Sequence, residues 1–154
     1  MAGRQDPASG DAETIAAAVD DAASALVGRV VRGVGTDLVE VDEMRALMSR
    51  QPRFAAHVFT EDERAYCERF ADPAERYAVR FAAKEAVLKA LGVGLTESVL
   101  TEIEVRRQAA GPPSLHLAGR AAALAEAAGI SSWLITLTHT RHLAHAFVAG
   151  MGDL

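Results

Sequence analysis

Between Asp72 and Gly92 the chain reads as one long helix that carries charge where its composition asks for burial. Asp72 suits an N-cap and Pro73 the first helical position; alanine and leucine dominate the run after them, no further proline interrupts it, and Gly92 supplies a stop. Among these small apolar residues stand Arg76, Arg80, Lys84, Glu85 and Lys89. At about 100° per residue, Arg76, Arg80 and Lys84 share one stripe, and Glu85 and Lys89 form a second roughly 140° away. The remaining arc, Ala78, Val79, Ala82, Ala83, Ala86 and Ala90, is small enough for another element to pack closely. Charges in such a helix are costly unless something pairs with them. The helix alone leaves two readings open. One is a solvated Arg/Lys face with a Glu85–Lys89 pair; the other is a charge set that meets a polyanion and a metal ion.

Composition bounds the partners. The chain has 154 residues, 50% of them hydrophobic and 24% charged, which suits a globular domain with a real core. No apolar run approaches the ~18–20 residues of a membrane span, so no membrane partner is expected. The net charge of −5 argues against nonspecific nucleic-acid binding, so any basic site must be local. One cysteine, Cys67, excludes a disulfide within the chain and fits a cytoplasmic protein. It lies in a helical stretch without a nucleophile motif, and a structural role is expected. The N-terminal residues have neither the basic-then-apolar order of a secretory signal nor the arginines of a transit peptide.

Residues 1–28 are rich in Ala and Asp, with Arg4 their only basic residue, and are expected to form an extension, helical from Thr14 to Leu26 or partly disordered. Residues 29–154 are expected to form the functional domain. Within it a strand runs through Gly33, Gly35 and Asp37 to Val41, and a helix follows from Asp42 to about Arg50. Pro52 opens a short element ending near Phe59. Thr60 and Glu63 have capping-box spacing for a helix reaching about Phe70. After Gly92 a polar loop leads to a strand from Thr101 to Arg106. A Gly111-Pro-Pro turn, a strand from Ser114 to Leu117 and a helix from Gly119 to Ala128 come next. Strands from Ser131 to Thr138 and Leu143 to Ala149 are joined by His139-Thr-Arg-His142 as a hairpin. The pattern predicts an α+β fold, with a mainly antiparallel sheet packed against the long helix.

Asp37 sits among apolar neighbours at the end of a glycine-rich strand. It reads either as a turn cap or as a carboxylate for a hard divalent ion, with Glu85 as its partner ligand. His139 is either a solvated loop residue or a hydrogen-bonding group for a phosphate, assisted by Thr140. The spacing of His139, His142 and His145 suits neither one strand face nor a tight loop, so structural zinc is not expected. Gly33-x-Gly35 lacks the third glycine of a dinucleotide fingerprint, and there is no Walker A sequence. Any nucleotide phosphate would therefore be held by basic side chains.

Taken together these segments resemble the holo-acyl-carrier-protein synthase family, the small 4′-phosphopantetheinyl transferases. The resemblance rests on Gly33-Val-Gly-Thr-Asp37-Leu-Val-Glu-Val41, on Phe81 through Ala90, and on Thr136-Leu-Thr-His-Thr140 followed by an alanine-rich strand, in that order. Phe59-Thr-Glu-x-Glu63 and Gly111-Pro-Pro-x-Leu also fit. The similarity spans about residues 30–150.

The resemblance implies Mg²⁺-dependent transfer of 4′-phosphopantetheine from coenzyme A to a serine of apo acyl carrier protein, releasing adenosine 3′,5′-bisphosphate. It implies Asp37 and Glu85 as Mg²⁺ ligands and Glu85 and Lys89 as the catalytic pair, with Glu85 the candidate proton acceptor. Lys84 and Lys89 match contacts to coenzyme A phosphates; Arg80, His139 and Thr140 match positions near its 3′-phosphate. It also implies a homotrimer with sites between subunits. Thr136 and Thr138 replace the usual serines, and Glu43 stands where family members often carry a cation toward the carrier. The carrier belongs either to fatty-acid synthesis or to polyketide or peptide assembly. A coenzyme A-binding or carrier-docking module without activity is the alternative from another class.

Overall fold

The computed structural model describes residues 26–94, 100–107 and 111–154, together with residues 16, 17, 20, 21, 23 and 24. The chain divides into two compact units. In the first, the described residues Ala16, Ala17, Asp20, Asp21, Ala23 and Ser24 are helical, and a turn lies at Leu26–Gly28. The rest of the helix expected from Thr14 to Leu26, and residues 1–13 before it, lie outside the described residues, as does most of the loop after Gly94.

The second unit, from Val30 to Asp153, contains the sheet and the long helix. Strand β1 (Arg29–Glu40) leads directly into helix α1 (Val41–Arg50). Helices α2 (Phe54–Val58), α3 (Glu61–Cys67) and α4 (Pro73–Leu91) come next. A short 3₁₀ turn (Leu100–Glu102) opens β2 (Ile103–Arg106), then come β3 (Ser114–Leu117), α5 (Gly119–Ala127), β4 (Ser132–His139) and β5 (Leu143–Asp153). One sheet has the order β1-β5-β4, and β2 and β3 form a separate antiparallel pair. Strands β4 and β5 are antiparallel, with Thr136 opposite Phe147 and His139 opposite Ala144. Contacts from β1 to β5 run in opposite sense along the chain: Arg32 with Asp153, Thr36 with Ala146, and Val41 with His142. The fold is α+β, with helices set against an antiparallel sheet.

Local chemistry accounts for the helix ends. Thr60 Oγ1 accepts from Glu63 N, and Glu63 Oε2 accepts from Thr60 N at 3.0 Å, a complete capping box. Helix α3 ends at Cys67 rather than near Phe70, because Arg69 N and Phe70 N bond three residues back and tighten the last turn. Asp72 caps α4 through Ala74 N, with Pro73 at the first position; Gly92 ends it at φ +70°, where a Cβ would be strained. The strand expected from Thr101 begins at Ile103, because residues 100–102 form the 3₁₀ turn.

Helix α4 is the spine of the core. Tyr77, Ala78 and Val79 are buried with Phe59, Cys67 and Val41; Ala82, Ala83 and Ala86 are buried with Ile103, Ala146 and Val148. A Cβ on Gly35 would collide with the Ala86 carbonyl, and one on Gly33 with that of Ala90. The two glycines let β1 lie directly on the alanine face of α4, the close approach that face predicts. Burial pushes the Cys67 thiol up to about 12, so it is an unreactive core group, as expected.

The other face of the β1-β5-β4 sheet is open. Val34, Leu38, Leu134 and Phe147 are exposed on it, with Thr36, Thr136 and Thr138 among them.

Candidate active site

The close seating of β1 on α4 brings three of the expected residues together. Lys89 Nζ lies 2.7 Å from Asp37 Oδ1 and donates to the Thr36 carbonyl at 2.9 Å. Glu85, one turn before Lys89, faces the same place. Its Oε1 is buried with no hydrogen-bond partner among the described residues. Burial first, and then the nearby Asp37 charge, hold its carboxyl above the usual range, while Lys89 pulls the other way. A pair of hard oxygen donors, one of them buried and unsatisfied, fits a divalent cation that completes its shell with water and ligand oxygens. No group of three or more His, Cys, Asp or Glu residues suited to a metal occurs among the described residues.

A second place forms on a different side of α4. Arg80 is 3% exposed and its guanidinium lies 4.1 Å over the Tyr66 ring. Its Nε has no partner among the described residues. Arg80 lines a cavity of about 330 Å³ with Arg76, Arg107, Tyr66, Thr138 and His139, and no carboxylate is among the described residues that line it. Arg76 Nη1 stands 2.7 Å from His139 Nε2. This assembly of cations around an open space suits a phosphate ester.

His139 is the last residue of β4, not the first of a four-residue turn as the sequence pattern suggested. The connection is closed by Thr140, whose N–H donates to the Leu143 carbonyl at 2.8 Å. Thr140 Oγ1 also accepts from His142 N and Leu143 N at 3.2 and 3.1 Å. Thr140 therefore shapes the turn and is not among the residues lining the cavity.

Lys84 departs from the expected phosphate contact. It is 0% exposed, and Nζ lies 2.7 Å from Glu63 Oε2. It also donates to the Leu100 carbonyl at 3.0 Å and to that of Ile103. Three partners use the three ammonium protons, leaving nothing to offer a ligand. Glu63 Oε1 meanwhile accepts from Val105 N at 2.9 Å. The capping-box acid thus ties α3, α4 and β2 together through Lys84. Sequence spacing showed Glu63 only as a cap, because its long-range partners have no local signature. Arg76 and Tyr66 are the other residues missed as site formers; the shared stripe of Arg76 and Arg80 was the available signal.

The family model of the 4′-phosphopantetheinyl transferase superfamily matches residues 33–147. A holo-[acyl-carrier-protein] synthase from Syntrophus aciditrophicus is 42% identical over 121 residues, covering 77% of this chain and 94% of the relative. One from Chloroflexus aggregans is 46% identical, covering 78% and 95%. The solved ACPS–CoA complex from Chronobacterium ammoniagenes superposes with a TM-score of 0.68 at 28% identity, covering 79% of this chain and 97% of that one. Segments bearing Asp37, Glu85, Lys89, Arg80 and His139 all fall inside the matched region, and the chain belongs to the 4′-phosphopantetheinyl transferase superfamily as a holo-[acyl-carrier-protein] synthase.

Proposed function

We propose that this chain transfers the 4′-phosphopantetheine group of coenzyme A to a serine hydroxyl of an apo acyl carrier protein. The serine Oγ–P bond forms, the pyrophosphate P–O bond breaks, and adenosine 3′,5′-bisphosphate leaves. The observation that carries this reading is the meeting of Asp37, Glu85 and Lys89 where β1 crosses α4.

Phosphoryl transfer depends on positioning and charge neutralisation more than on covalent help from the protein. Asp37 and Glu85 would hold Mg²⁺, which when bound polarises phosphate oxygens. Lys89 neutralises charge on the departing phosphate. Glu85 accepts the serine proton, a role favoured by a carboxyl held above its usual range. Arg80 takes the nucleotide end of coenzyme A in the carboxylate-free cavity, with Arg76 beside it and His139 in the cavity wall.

Glu85 and Arg80 stand about 140° apart around α4, so one copy turns the two places in different directions. A second copy seated on the open sheet face would complete the site, which supports a homotrimer with sites between subunits. The free, buried Cys67 supports a cytoplasmic location. Among the described residues no helix is long and apolar enough to cross a membrane. Residues 29–154 form the transferase domain and residues 1–28 an extension outside it. The reading is tested by incubating the chain with coenzyme A, Mg²⁺ and apo carriers of fatty-acid, polyketide and peptide assembly. Gain of one phosphopantetheine by a carrier supports it, and the preferred carrier names the pathway. Coenzyme A binding without transfer would favour the non-catalytic module.

A further inference from the structure

We propose that Arg76 is a positioning residue: it holds His139 in the tautomer whose proton sits on Nδ1 and covers the Nε2 lone pair that would otherwise face a phosphate monoester in the cavity. The proposal rests on the reading that the nucleotide end of coenzyme A enters this cavity.

The geometry begins with the 2.7 Å contact between Arg76 Nη1 and His139 Nε2. A guanidinium has donors and no acceptor, so the bond exists with Nε2 accepting and the ring proton on Nδ1. Glu75 Oε2 stands 3.9 Å from Nδ1, on the side where that proton then lies. Arg76 is itself held, with its guanidinium 4.3 Å over the Phe70 ring. Phe70 in turn is fixed by the tightened end of α3, where its N–H bonds to the Cys67 carbonyl at 3.2 Å.

The consequence lies in what an anion meets. The other charged or titratable groups lining the cavity are Arg80 on α4, Arg107 after β2 and Tyr66 on α3. In the turn beyond His139, His142 stands 3.9 Å from Asp42 of α1, and Arg141 completes the nearby charges. A phosphate dianion only accepts hydrogen bonds. A bare Nε2 lone pair at the cavity wall would repel it, and Arg76 covers that lone pair with a cation. Arg76 therefore acts through His139 as well as by its own charge, and its removal weakens recognition of the 3′-phosphate in particular.

Nitrogen-15 histidine spectra of the full chain at mildly alkaline pH test the tautomer directly, with His139→Gln identifying the signals. Wild type should show Nδ1–H at His139. Arg76→Leu should move it toward Nε2–H, the form free imidazole favours, and Arg76→Lys, which restores a donor, should keep Nδ1–H. In turnover, Arg76→Leu should raise KM for coenzyme A about tenfold, the loss of one charge-assisted contact. The effect on kcat and on 3′-dephospho-coenzyme A should be smaller, with most of the loss recovered by Arg76→Lys. A wild-type His139 protonated on Nε2, an unchanged tautomer in Arg76→Leu, or an unchanged KM overturns the proposal. If Arg76→Leu does not fold, the wild-type and Arg76→Lys spectra still decide. Failure of the transferase reading appears separately, as absent turnover beside the expected spectra.

Discussion

Glu85 shows how a single residue trades stability against chemistry. Its folded carboxyl is held above the usual range by burial and by Asp37. An acid with a raised folded pKa binds its proton more tightly in the folded chain, so its contribution favours folding at low pH and is lost as pH rises through the folded value. At neutral pH the ionised group therefore destabilises the metal-free fold. Glu85→Gln should raise Tm by a few degrees in the presence of a chelator and cut phosphopantetheine transfer by about 10²–10⁴-fold. An unchanged Tm with near-normal turnover would contradict both assignments. Lys84 is the opposite case, a charge spent on structure. Lys84→Met should cost about 3–5 kcal/mol in urea unfolding, because Glu63 is left buried without its cation. Adding Glu63→Gln should recover part of that loss. A raised KM for coenzyme A at unchanged stability would return Lys84 to the ligand. At this scale the spacing on α4 revealed which residues share a stripe. It did not separate Arg80, where the stripe opens on a cavity, from Lys84, where the same stripe ends against Glu63 on another helix.

The decisive element contact is β1 on α4. Gly35 brings the strand backbone against the Ala86 carbonyl, and this seats Asp37 beside Glu85 and Lys89. Gly35→Ala places a methyl against backbone that has no rotamer to yield. It should cost about 1–3 kcal/mol, read as a lower urea midpoint, and should weaken transfer more than the stability loss explains. Full stability would show that the strand does not need this approach. Element ends with side-chain caps, Thr60 with Glu63 and Asp72 with Pro73, were legible because their chemistry is local. The end of α3 and the start of β2 were not, since backbone tightening at Phe70 and at Leu100–Glu102 leaves little mark on residue type. The His139 turn falls between these cases: Thr140 carries the signal, but only its bonds to Leu143 show where the ladder stops.

For the molecule as a whole, the alternating pattern of β1, β4 and β5 shows which residues leave the core but not what covers them. Val34, Leu38, Leu134 and Phe147 form an apolar exposed face, while Asp37 with Glu85 and Arg80 with His139 occupy different sides of α4. If a second copy covers that face and completes the site, Phe147→Glu should yield monomers in sedimentation and lose transfer together. Active monomers would contradict a shared site. The family and the fold class were readable from three short motifs, and so were Asp37, Glu85 and Lys89 as residues that meet, because each motif packs its chemistry into consecutive residues. The buried Glu63–Lys84 tie and the Arg76–His139 contact needed the folded chain. The most direct test of the central claim is the intact mass of apo acyl carrier protein after incubation with this chain, coenzyme A and Mg²⁺. A gain of one phosphopantetheine on the carrier serine is the predicted result, absent with Glu85→Gln. No gain on any carrier, from folded wild-type chain that still binds coenzyme A, would contradict it.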